Sequence, residues 1–218
     1  MTIPPGRKLL EDMFAAMRGA LGPSDWWPAD SDFEVAVGAV LTQNTAWGNA
    51  EKAVARLREA GCLEARALHA LPEAELAELI RPAGFFRVKA RRLRNLLAWL
   101  QSACNYDLTA LRGRDLTALR AELLAVSGIG PETADCILCY AVGLPSFVVD
   151  AYTRRIFARH GLVPENIGYA ELREMFMAAL PPDTAVYNEY HALLVRVAKN
   201  WCRKGKTICK TCPLGGFL

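Results

Sequence analysis

The residues able to do chemistry in this 218-residue chain gather at three places. Asp150 closes the run Leu144-Pro145-Ser146-Phe147-Val148-Val149-Asp150, directly ahead of a helical pattern over Ala151 to His160. A carboxylate there suits a helix N-cap. Twenty residues before it, Ser127-Gly128-Ile129-Gly130 predicts a tight turn between two helices, the second entered through Pro131. Two glycines one residue apart let the backbone form a hairpin and expose consecutive N–H groups. Those amides and the positive end of the following helix suit a phosphate, although such pairs also serve as plain connectors. The third place is the tail, where Cys202, Cys209 and Cys212 crowd together. Clustered cysteines in a chain without a secretory signal suggest a metal site before disulfides.

The elements that must hold these groups read as helices throughout. Leu9, Leu10, Met13, Phe14, Met17 and Leu21 recur on one face of Arg7 to Leu21. Ser31-Asp32-Phe33-Glu34 matches a capping box at the start of a helix through Val35, Val37, Val40 and Leu41. The longest pattern, Lys89 to Cys104, carries Leu93, Leu96, Leu97 and Leu100 inward and Arg91, Arg92 and Arg94 outward or sideways. No period-two strand pattern appears, so the fold class is all-α.

Composition bounds the rest. With 52% hydrophobic residues the chain can bury a sizeable core as one domain or two small ones. No apolar run spans a bilayer, and the start MTIPPGRKLLEDMF has neither the apolar core nor the cleavage site of a secretory signal. The expected location is the cytoplasm. The net charge of +3 conceals a segregation: Arg81–Tyr106 and Tyr190–Leu218 each hold six basic residues and no acid. The other 14 Lys and Arg face all 23 Asp and Glu. Two basic segments in an otherwise acidic chain suit a polyanion track, and solvated helix faces are the ordinary alternative. Cys62 and Cys104 are isolated, and Cys136 and Cys139 read as buried thiols.

The sequence Gly128-Ile129-Gly130-x-x-Thr133-Ala134, then the Gly143-Leu144-Pro145 turn, then Val148-Val149-Asp150 before a helix, resembles the helix-hairpin-helix and Gly/Pro-Asp signature of the endonuclease III superfamily of DNA glycosylases. The resemblance covers essentially the whole chain. It implies a helical barrel domain over residues 31–144, a second helical domain from 1–30 with 145–218, and a DNA-binding cleft holding the active site between them. It makes Asp150 the catalytic carboxylate and Ser127, Gly128, Ile129, Gly130 and Thr133 the DNA-binding hairpin. Bifunctional members carry a lysine two residues after the second hairpin glycine, where it forms a Schiff base with the sugar. This chain has Glu132 there, which implies a glycosylase without lyase activity, with water as nucleophile.

Trp26-Trp27-Pro28, the run Leu41-Thr42-Gln43-Asn44-Thr45 followed by Trp47, and Arg81-Pro82-Ala83-Gly84-Phe85-Phe86 are similar to one branch, 3-methyladenine DNA glycosylase III. The branch implies a flipped alkylpurine held by Trp26, Trp27, Pro28, Trp47 and Glu132, with Trp47 and one of Trp26 or Trp27 forming the sandwich. An indole face favours a cationic base, and for Trp27 a plain core role stands beside the pocket role. Gln43 or Asn44 would fill the gap left by the flipped nucleotide, a helix-terminal polar turn being the alternative. The spacing Cys202-x6-Cys209-x2-Cys212 is similar to the first three positions of the family's iron–sulfur signature, which implies a [4Fe–4S] cluster. The fourth cysteine is expected at position 218, where the residue is Leu218. Either the chain stops or differs there, another group completes the site, or the cluster is degenerate; zinc is an outside alternative. The branch named above can lack this motif. The expected partner is double-stranded DNA with a damaged base, bound by a monomer without membrane contact. Competing readings are a mismatch glycosylase for thymine, uracil or adenine, a non-catalytic lesion-binding module and, last, a redox-signalling protein.

Overall fold

A computed structural model describes residues 5–218; the first four, part of the start read above, lie outside them. The fold is all-α, with no strand ladder among the described residues beyond an isolated bridge between Cys202 and Thr207. No described helix is long and apolar enough to cross a membrane. The chain divides into two compact units, one of Trp27–Leu144 and one joining the segment up to Trp26 with Pro145–Leu218.

In the Trp27–Leu144 unit, α2 (Asp32–Leu41) is buried along nearly its whole length, as an almost uninterrupted apolar sequence requires. Ser31 caps it by accepting from the Glu34 amide at 3.1 Å. The return half of the capping box is not made to Ser31: the Glu34 carboxylate is buried, accepts from Asp30 N–H at 3.4 Å and pairs with Arg58 at 2.7 Å. Around α2 lie α3 (Trp47–Glu59), the short α4 (Ala65–Ala70) and α5 (Glu73–Leu79), α6 (Phe86–Cys104), α7 (Leu116–Ala125) and α8 (Pro131–Cys136). A π-helical segment, Ile137–Val142, extends α8 to the left-handed Gly143. Leu93, Leu96, Leu97 and Leu100 of α6 are buried as their spacing predicts.

In the other unit, α1 (Arg7–Leu21) packs against α11 (Thr184–Asn200), with α9 (Ala151–Arg159) on α11 and α10 (Tyr169–Ala179) completing the bundle. The Tyr190 hydroxyl donates to Leu10 O at 3.0 Å, and the Arg196 guanidinium donates to the carbonyls of Leu21 and Gly22. Arg196 thereby satisfies the last carbonyls of α1, which removes it from the polyanion track expected of the basic tail. The core is aromatic: Phe147 stacks on Phe176 at 4.0 Å and meets Tyr187 and Tyr190 edge-on. Phe147, Val148 and Val149 are buried, and Ser146 accepts from Arg173 at 2.8 Å. This anchoring fixes where Asp150 emerges.

Candidate active site

Asp150 is the N-cap of α9, its Oδ1 accepting from Thr153 N at 2.7 Å and from the Thr153 hydroxyl at 2.9 Å. Its Oδ2 faces His191 Nε2 of α11 at 3.5 Å. Burial works against ionisation of this carboxyl; the His191 contact and the two Thr153 donors overcome it and hold the carboxyl below the usual carboxylate range. An N-cap and an oriented, ionised carboxylate are here one arrangement. His191 also meets Trp26 edge-on, ring centres 6.3 Å apart. Sequence reasoning did not select His191, which lies inside the apolar pattern of α11 with no motif to mark it.

In the other unit the hairpin closes as its glycines suggest, through only one of them. Gly128 has φ +95°, and a Cβ there would come within 2.3 Å of Arg92 Cγ. Gly130 sits at φ −92°, an ordinary extended conformation, with open space around it. Ile129 is buried and plugs the turn into the unit rather than facing outward. Asn95 donates to Ser127 O at 2.9 Å, and the half-buried Arg120 pairs with the buried Asp135 at 2.8 and 3.0 Å, tying α7 to α8. Thr133 is also buried and accepts from Gln43 at 2.9 Å, so its side chain supports the turn. Ser127, Gly128 and Glu132 are exposed.

Gln43 is a strut. Its amide nitrogen donates to Gly128 O at 3.1 Å and to Thr133, and its oxygen accepts from Arg92 at 2.5 Å. Asn44 beside it is exposed in the left-handed region at φ +50°. Lys89, which the charge pattern placed on the polyanion track, is buried instead. Its ammonium donates to Leu41 O, Thr45 Oγ1 and Ala83 O at 2.8 to 2.9 Å, clasping the turn after α2 to the Arg81–Ala83 turn. Burial, then the neighbouring Arg92 charge, push it down to about 8. The clasp holds Asn44 and Phe85 on one edge of the unit. Phe85, at φ +45° and 69% exposed, is an aromatic ring held out in solvent.

Trp27 and Trp47 touch each other directly. Trp27 meets Trp47 edge-on, centres 4.8 Å apart at 86°, and packs on Tyr140 and over Gly38. Pro28 beside Trp27 is exposed. With Trp27 and Trp47 it lines a cavity of about 460 Å³ rimmed by Asp30, Glu34, Glu51 and Arg58.

The three tail cysteines converge. Cys202, Cys209 and Cys212 line a cavity of about 300 Å³ together with Arg159, His160, Trp201 and Leu218. Burial pushes the Cys212 thiol up, and the nearness of Cys202 and Cys209 adds to this, while the Leu214 and Gly215 amides point to its sulfur. Arg159 donates to Cys202 Sγ at 3.2 Å. Gly215 is required by space: a Cβ would lie 2.2 Å from Cys209 O. Among the described residues, no three His, Cys, Asp or Glu groups meet where one metal ion could be held.

A helix-hairpin-helix turn and an aspartate capping the helix after a Gly/Pro loop are now both in place, and the model of the HhH-GPD superfamily of base excision DNA repair proteins matches residues 37–182. The chain belongs to that superfamily. It is a base excision repair DNA glycosylase at that level of description. Among its relatives, "Putative DNA repair glycosylase MJ1434" of Methanocaldococcus jannaschii is 47% identical over 197 residues, covering 90% of this chain and 89% of the relative. The crystal structure of H. pylori 3-methyladenine DNA glycosylase bound to 1,N6-ethenoadenine superimposes with a TM-score of 0.74 at 27% identity, covering 88% of this chain and 96% of that one. A non-covalent endonuclease III–DNA complex superimposes with a TM-score of 0.79 at 26% identity, over 97% and 92% of the two chains.

Proposed function

We propose that this HhH-GPD protein is a monofunctional glycosylase that hydrolyses the N-glycosidic bond of alkylated purines such as 3-methyladenine in double-stranded DNA. The observation that carries the hydrolytic reading is Glu132 at the exposed hairpin position, where a lyase would carry its lysine; Asp150, held as a carboxylate by Thr153 and His191, supplies the acidic group. A carboxylate cannot form an imine. The buried amine of Lys89 is occupied by three oxygen acceptors, which disqualifies it as a substitute nucleophile.

The carboxylate opposes the positive charge that develops on the sugar as the bond to the base breaks. Its Oδ2, the oxygen not used by Thr153, accepts a proton from the attacking water. N3- and N7-alkylated purines leave as neutral bases from a cationic state, so no strong general acid is needed to protonate them. Support for this substrate class comes from the likeness to the H. pylori 3-methyladenine enzyme and from the indole of Trp47, whose partner in the sequence reading is one of Trp26 or Trp27. DNA phosphates would meet the amides of the Ser127–Gly130 turn. Asn44 would enter the gap left by the flipped nucleotide, since Gln43 is committed to the hairpin, and Phe85 would wedge between neighbouring bases.

The tail cysteines fit an iron–sulfur cluster, which when bound would pin the basic loop of Arg203, Lys204, Lys206 and Lys210 by coordination. Cys202, Cys209 and Cys212 would hold it.

The decisive experiment measures free 3-methyladenine and 7-methylguanine released from methylated duplex DNA by the protein and by Asp150→Asn. Release that falls at least a thousandfold in the variant, with no covalent adduct trapped by borohydride, is the expected result. Release only from mismatched thymine, uracil or adenine, or a trapped adduct, would overturn the assignment. Asn44→Ala should slow release from duplex DNA and spare release from single strands; equal loss on both would remove its plug role.

A further inference from the structure

The face of α9 turned away from the aromatic core carries a basic groove that neither the hairpin nor the cysteine spacing accounts for. Residues 151, 154, 155 and 158 share that face at helical spacing, while Thr153, Ile156 and Phe157 are buried behind it. Ala151 and Ala158 are too small to fill the face, and a groove of about 440 Å³ opens over them, walled by Arg154, Arg155, Arg159 and Lys204. Glu165 is the single carboxylate that lines it among the described residues. Two of the cations build the groove. Arg159 donates to the carbonyls of Arg203 and Lys204 at 2.8 and 2.9 Å, and Arg155 Nε donates to Cys202 O at 2.9 Å. These bonds fix the backbone of the tail against α9 and bring Lys204 to the groove. The other two cations are uncommitted: Arg154 and Lys204 are exposed, and no described side chain or carbonyl pairs with the charged group of either.

We propose that this groove binds a backbone phosphodiester of DNA beside the nucleotide whose sugar faces Asp150, with Arg154 and Lys204 as its contacts. Arg154 lies four residues beyond Asp150, about 6 Å along the helix axis. A strand whose sugar sits at Asp150 brings a neighbouring phosphate across this face. A planar guanidinium takes two oxygens of one phosphate in parallel N–H···O bonds, and an ammonium adds a point charge. The carboxylate of Glu165 opposes the same phosphate, so its removal strengthens the contact. The register rests on Asp150 being the group at the sugar; the phosphate contact itself does not.

The test measures affinity by fluorescence anisotropy on a duplex holding a stable abasic-site analogue, with each phosphate near that site replaced in turn by a neutral methylphosphonate. No base is excised, so the outcome is independent of the substrate class proposed above. Arg154→Ala should bind roughly tenfold more weakly, with the slope of log affinity against log salt lowered by about one unit. One methylphosphonate beside the analogue should weaken the wild type by a similar factor and leave Arg154→Ala unchanged, because both remove the same contact. Glu165→Gln should bind about threefold more tightly at low salt, which a purely structural role for the groove would not produce. Melting temperatures equal to that of the wild type are expected, since all three side chains are exposed. An Arg154→Ala protein that binds as the wild type does, or losses that add at every methylphosphonate position, would overturn the phosphate contact. Coupling to a phosphate several nucleotides from the analogue would overturn the register, and with it the placing of Asp150 at the sugar.

Discussion

At the scale of single residues, Asp150 shows how one side chain serves structure and proposed chemistry together. One oxygen caps α9 and the other faces His191, so the group that must stay ionised is also the group the helix needs negative. Its folded-state carboxyl lies below the usual value near 3.9, against burial, which means it contributes stability above that value and loses it as pH falls through the lower folded value. Urea unfolding between pH 7 and 3 should therefore show a steeper acid loss in the wild type than in Asp150→Asn; parallel curves would remove this contribution. His191→Ala removes the partner that offsets burial. The carboxyl should then rise, moving the acidic limb of the kcat/KM profile to higher pH and slowing base release roughly tenfold at neutral pH. An unmoved limb would reduce His191 to packing.

At the scale of elements, the hairpin distinguishes its two glycines. Gly128 needs both its positive φ and the absence of a Cβ, because Arg92 passes directly over it on the way to Gln43. Gly128→Ala should cost roughly 1–3 kcal/mol and weaken DNA binding, since relief requires the turn or Arg92 to shift. Gly130→Ala meets no neighbour and keeps an allowed backbone, so its melting temperature and affinity should stay much closer to the wild type. Equal effects from the two would mean that the amides of the turn, rather than its backbone path, set the cost. Pattern reading treats the glycines alike because they sit one residue apart in the same motif; the positive φ of Gly128 and the path of α6 over it separate them.

At the scale of the whole molecule, segregated charge is the property that polyanion binding reads, and the structure reassigns part of it. Lys89 is buried as a clasp and Arg196 caps α1, whereas Arg87 and the residues Arg203, Lys204, Lys206 and Lys210 remain exposed. A phosphate contact contributes about 0.9 to the slope of log affinity against log salt. Arg87→Ala should lower that slope by about one unit for any DNA sequence, measured by fluorescence anisotropy over a salt series. Lys89→Met should leave the slope unchanged and lower the melting temperature, because the ammonium's bonds to Leu41, Thr45 and Ala83 are lost inside the unit. A slope change in Lys89→Met would place its charge on the DNA after all.

Local signals were enough to determine the helical class, the caps at Ser31 and Asp150, the inward leucines of α6 and the hairpin itself. Each depends on neighbours within one or two turns, where spacing and residue type decide the outcome. The superfamily was legible for the same reason, since its signature is contiguous. The roles that needed the tertiary structure belong to side chains that reach across the sequence. Gln43 became a strut by meeting Gly128 and Thr133, Lys89 a clasp by meeting Leu41 and Ala83, and Trp27 met Trp47 edge-on. His191 beside Asp150 carries no motif at all. A long polar side chain can satisfy its hydrogen bonds with any partner the fold brings near, and that partner is chosen by packing, not by the residues adjacent in the chain.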